Sequence, residues 1–117
     1  MEKIRIAIPV FNRRISPVLD ECSQLCIFDC ERKKAVRRHN VWVEDLSLSE
    51  RVTILVNLDV KVIICCAVTG ALHQLIQSKK IRIIADRVGV VEEVLEAFLS
   101  DRLDDPYFLM PGYKTLT

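Results

Sequence analysis

A chain of 117 residues with 50% hydrophobic content is long enough for one compact domain to bury a core without disulfide or metal staples. Seventeen Lys and Arg against sixteen Asp and Glu leave a formal net charge of +1, too little excess for non-specific binding to nucleic acid or an anionic membrane. The opening MEKIRIAIPVFNRR mixes apolar residues with charges instead of forming the unbroken core of a signal peptide, and no stretch reaches the roughly 18 uninterrupted apolar residues of a membrane helix.

The first predicted strand is Lys3 to Val10, where Ile4, Ile6 and Ile8 share one face at period two and Pro9 is expected to close it. A polar loop from Phe11 to Asp20 follows, with a Ser-Pro pair and two adjacent arginines that continue neither periodicity. Two more strands, Gln24 to Asp29 and Ala35 to Val43, are joined by the charged turn Glu31-Arg32-Lys33-Lys34 and complete a meander. The pattern then changes period. Ser47-Leu48-Ser49-Glu50 has the form of a capping box and introduces Val52, Leu55, Val56 and Leu58, so a helix is predicted there although the run Val52 to Val56 is rich in β-branched residues. Val60 to Cys66 is nearly continuous in apolar residues, as in a strand buried on both faces. Thr69-Gly70 starts a second helix through Ser78 with Leu72, Leu75 and Ile76 inward, and Ile81 to Ala85 is a further short strand. The last helix runs from about Gly89 to Asp101, with Val90, Val91, Val94, Leu95, Phe98 and Leu99 on one face and Glu92, Glu93 and Glu96 on the other.

This order, three strands and then alternating helices and strands, predicts an α/β fold: a five-stranded mixed sheet in the order 3-2-1-4-5 with helices on its faces. The first and fourth strands are then parallel neighbours whose connections leave in opposite senses, which opens a crevice at their carboxyl ends. One domain spans 1–117, with a core over about residues 3–103 and a short C-terminal tail.

Five cysteines and no export signal predict free thiols in a reducing cytoplasm. Cys22, Cys26 and Cys30 are evenly spaced, yet on a strand Cys26 and Cys30 stand about 13 Å apart and do not chelate one metal. Cys65 and Cys66 end the fourth strand, one toward each face, ahead of a helix N-terminus that favours anions and lowers thiol pKa values. They are the candidate metal ligands, with buried sheet-end cysteines as the other reading. His73 in the first turn of that helix is either a ligand or a solvated histidine. Arg13, Arg14, Ser16 and Asp20 lie in the loop after the first strand, and the topology predicts that they approach Thr69 and Gly70, as a binding rim or a solvated basic loop. No Ser-His-Asp order, P-loop, GxGxxG or HExxH is present, and a non-catalytic protein is expected.

KIRIAIPV, RISPVLDECSQLCIFD, LDVKVIICCAVTGAL, IRIIADRVGVVEEVLEAFLSDRL and PYFLMPG, in that order, resemble the dinitrogenase iron-molybdenum cofactor biosynthesis family, the NifX/NifB-type small domain of nitrogenase accessory factors. The resemblance runs from Met1 to about Gly112. It implies a ribonuclease-H-like motif, and a carrier that holds an iron-sulfur or iron-molybdenum cofactor precursor and passes it to cofactor-assembly proteins. By position it marks Ile15-Ser16-Pro17, Asp20 and Cys65 to Gly70 as the rim. Leu19 stands where an aromatic is common among relatives, Cys66 to Thr69 replace a more glycine-rich turn, and the tail from Met110 to Thr117 lacks the cysteine- and glycine-rich ending of many relatives. A metal-free protein-interaction or regulatory module, with an apolar patch around Tyr107, Phe108 and Leu109, is the alternative. A nuclease would need clustered carboxylates that the first strand does not supply.

Overall fold

The structure, a computed structural model, describes residues 3–111. The end of the C-terminal tail, residues 112–117, lies outside the described residues, as do residues 1–2. β1 (Lys3–Phe11) follows the isoleucine alternation: Ile6, Ile8 and Val10 belong to one core layer and Ala7 to the opposite one. Asn12 and Arg13, both with positive φ (51° and 69°), reverse the chain into β2 (Arg14–Ile15). Paired left-handed residues are what a tight two-residue hairpin requires. β3 (Gln24–Glu31) and β4 (Lys34–Trp42) complete the antiparallel part; β5 (Val62–Ile64) and β6 (Arg82–Ile84) add the parallel part.

The sheet order is β4-β3-β1-β5-β6, with β2 paired to β1 alone. The predicted order is therefore present, but among the described residues the sheet has six strands instead of five. β2 escapes a periodicity reading because two residues carry no period. Pro9 does not close β1: it sits inside the strand opposite Leu25. Its carbonyl accepts from the Ser16 N–H (2.8 Å) on the side where β5, which pairs only with Ile6 and Ala7, has already ended. No ladder bond is lost to the missing N–H.

α1 (Leu48–Asn57) starts at the predicted capping box: the Glu50 N–H donates to Ser47 Oγ (3.2 Å) and the Ser47 N–H to Glu50 Oε1 (2.8 Å). α2 (Gly70–Ser78) and α3 (Val91–Leu99) complete three layers. α3 packs Val91, Val94 and Leu95 onto Ile6, Ile8, Cys26 and Phe28. α1 and α2 pack Val52, Leu55, Leu72 and Ile76 onto Leu25, Ile27 and Ile63 on the other face. Leu75, expected inward, is 37% exposed; the buried stripe of α2 runs through Leu72 and Ile76, one turn apart. Of the residues where the interaction-module alternative places an apolar patch, Phe108 turns into the core beneath α3, Leu109 is half-buried and Tyr107 is 68% exposed.

Candidate functional site at the carboxyl ends of β1 and β5

β1 and β5 run parallel, and their connections diverge as the topology requires. The β1 connection crosses to the start of α3: the Ile15 N–H donates to Gly89 O (2.9 Å) and the Val91 N–H to Arg13 O (2.9 Å). The β5 connection enters α2 on the opposite face. Beyond the hairpin the first loop returns to the second. Ala67 N–H donates to Pro17 O (3.0 Å), Leu19 N–H to Ala67 O (2.8 Å), and Val18 forms a parallel bridge to Ala67. The crevice between the two strands is thus laced by backbone hydrogen bonds.

The laced seam brings Asp20 onto Thr69. Asp20 Oδ1 accepts from the Thr69 N–H (2.9 Å) and Oδ2 from the Thr69 hydroxyl. Thr69 Oγ1 in turn accepts from the Leu72 N–H (3.4 Å) as the N-cap of α2. A carboxylate therefore already sits where the helix dipole favours negative charge. Gly70 beside it is exposed, and a Cβ built there meets no heavy atom within 4 Å, so its flank is open. His73 is half-buried one turn along. Ser16 is buried in the seam. Arg13 and Arg14 are exposed and belong to the hairpin docked on α3, so the structure joins Asp20, not the arginines, to Thr69.

The predicted strand Val60 to Cys66 is shorter in the structure, and Cys65 and Cys66, just past the end of β5, still fall in opposite core layers. Cys65 is fully buried in the layer under α1 and α2. Burial, reinforced by the neighbouring Cys66 thiol and then by Asp86, pushes its pKa up to about 12. Cys66 lies in the α3 layer and contacts Met110 Sδ at 3.4 Å. Burial raises its pKa too, against an opposing hydrogen bond from the Ala67 backbone. Both thiols are therefore protonated at neutral pH. Among the described residues no group of three or more His, Cys, Asp or Glu is placed to hold a metal ion. Cys26 and Cys30 share the α3 layer, as strand spacing predicts, and Cys22 falls in the opposite layer, which its spacing did not indicate.

Two residues that sequence reasoning did not single out hold the loops around this rim. Arg87 is buried, and its guanidinium donates to Leu103 O (3.1 Å), Ala85 O (2.8 Å) and Asp104 Oδ1 (3.0 Å). Its own N–H donates to Cys65 O (3.1 Å). Arg51 is also buried and donates to Leu46 O (3.1 Å) and Cys22 O (2.8 Å). Residue type alone does not distinguish such arginines from solvated ones, because only the fold brings the carbonyls they satisfy.

The crystal structure of the protein PH0822 is similar to this chain with a TM-score of 0.82 and 17% identity, over 89% of this chain and 96% of that one. A crystal structure from Methanocaldococcus jannaschii, provisionally named a dinitrogenase, gives a TM-score of 0.74 and 21% identity over 89% and 95%. A solution structure from Thermotoga, provisionally named a NifB protein, gives 0.70 and 19% over 97% of each chain. At these identities the likeness establishes a shared fold. No curated protein matches the chain. The sequence itself goes further than the fold, for the model of the family described as dinitrogenase iron-molybdenum cofactor matches residues 2–101, from the first strand through the last helix, and the chain belongs to that family.

Proposed function

We propose that this protein is a non-catalytic cytoplasmic carrier that takes up an anionic iron-sulfur or iron-molybdenum cofactor precursor at the β1/β5 rim and passes it to cofactor-assembly proteins. The observation that supports this most is the family match across the folded core. The rim contributes the open flank of Gly70, the first-turn N–H groups of α2 and the Asp20 carboxylate, which an incoming anion would displace from Thr69. Uptake through Cys66 would require loss of its proton and an opening past Met110. A site that must open to bind holds its cargo weakly, which suits transfer more than storage. No described helix is long and apolar enough to cross a membrane.

A metal-free interaction or regulatory module is the second reading, and the enclosure of both thiols together with the carboxylate already on α2 favours it. Anaerobic reconstitution with ferrous iron, sulfide and molybdate, followed by metal and sulfide analysis and an absorption spectrum, separates the two. The carrier takes up metal and sulfide in fixed ratio and loses that capacity in the C65S/C66S variant. A colourless, metal-free protein after the same treatment overturns the carrier reading and leaves the interaction module.

A further inference from the structure

β4 is the end strand of the sheet, nine residues long, and its outer edge has no partner strand among the described residues. Alternate N–H and C=O groups of such an edge face outward and are a template for one more strand. Its charge is unusual for this chain. Residues 32–42 hold five of the seventeen basic residues and no acid, so with a total of +1 the remainder carries −4. Arg38 is engaged, paired with Glu92 and stacked over Phe28 (5.3 Å to the ring centroid). Lys33, Lys34 and Arg37 make no salt bridge among the described residues. Basic residues on an edge commonly guard against aggregation. A guard alone does not explain why the same strand leaves Val36 56% and Trp42 65% exposed.

Beside this edge lies an open groove of about 770 Å³ between β4 and α3, with Phe28, Val36, Leu95 and Leu99 among its lining residues. On the opposite sheet face Arg37 stands across from Asp29 and His39 across from Ile27. A strand added to β4 would place alternate residues over the apolar groove and the others beside Arg37 and His39.

We propose that β4 and the β4/α3 groove dock an extended segment of a partner protein in which apolar and acidic residues alternate, added as a further strand of the sheet. Charge complementarity selects this occupant. A second copy paired through β4 would set one basic strand against another, and Phe28, Ala35, Val36, Leu95 and Leu99 in the groove offer alternate apolar side chains a seat that a phosphate backbone does not fill.

The test uses the full chain, labelled with nitrogen-15, and a capped peptide of alternating glutamate and valine, about eight residues long to span the strand. Amide shifts confined to β4 and the exposed face of α3, with slowed exchange at every second β4 amide, are expected. The double charge reversal K34E/R37E is expected to weaken binding about tenfold or more with unchanged thermal unfolding, since both residues are exposed. A peptide methylated on every second backbone nitrogen is expected not to bind. Equal binding of that methylated peptide, or of a peptide with its glutamates and valines in separate blocks, overturns strand addition. So does the absence of shifts at millimolar peptide, displacement of the peptide by single-stranded DNA, or β4 shifts that depend on protein concentration alone.

Discussion

Asp20 and two glycines show how differently single residues serve the rim. Asp20 satisfies the N–H and the hydroxyl of Thr69 and completes the charge at the start of α2. Removing it in Asp20→Ala strips a helix end of its carboxylate, and urea unfolding is expected to show a loss of about 1–2 kcal/mol. Gly70 has no positive φ and nothing within 4 Å of an added methyl group, so Gly70→Ala is expected to change stability by less than about 0.5 kcal/mol. Any loss of cluster uptake in that variant then reports close approach of cargo to the helix start, separately from folding. Gly89 is the opposite case. Its φ of 135° and the 3.2 Å approach of Val94 Cγ2 to an added Cβ predict that Gly89→Ala costs about 1–3 kcal/mol and is felt first where Ile15 hydrogen-bonds to Gly89 O.

At the scale of elements, Arg87 joins the segment after β6 to the turn after α3 by donating to Ala85 O and Leu103 O at once. Arg87→Met fills much of the volume but leaves those carbonyls without this donor, so a loss of about 2–3 kcal/mol in urea unfolding is expected. The same contrast between local and distant causes decides what the sequence could say. The capping box at Ser47, the buried run into Cys65 and the amphipathic α3 were legible because each is a local pattern with a local cause. The sheet order followed from connection rules applied to those elements. β2, the interior position of Pro9 and the outward turn of Leu75 were not legible, since each depends on where a neighbouring strand or helix ends. The rim was half legible. Topology brings Asp20 to Thr69, whereas the positive φ of Asn12 and Arg13, which carries the arginines to α3, has only a weak signature in the residues themselves.

For the molecule as a whole, the five thiols set a boundary on the alkaline side, as Arg5–Asp29 and Arg38–Glu92 do on the acidic side. Hydrogen bonds from Arg5 and Arg38 lower the pKa of Asp29 and Glu92, so these pairs contribute modestly above the unfolded carboxylate values and lose that contribution as pH falls through the lower folded ones. The thiols act in the other direction. All five are buried and shifted upward by burial, Cys30 to about 11 and Cys65 to about 12, from an ordinary value of 9.0. Below pH 9 both folded and unfolded chains keep these protons, and the thiols leave stability independent of pH. Above it the unfolded chain releases protons that the folded chain retains. Each such thiol then subtracts up to about 1.4 kcal/mol for every pH unit until its folded pKa is reached. Urea midpoints are therefore expected to fall between about pH 9 and 11, and to fall less steeply in Cys65→Ala, whatever that substitution costs at neutral pH. An identical slope in the two proteins would show that Cys65 ionises as readily in the folded chain as in the unfolded one. It would then be an accessible thiolate at the rim, and the native protein would react with a thiol reagent that the enclosed arrangement excludes.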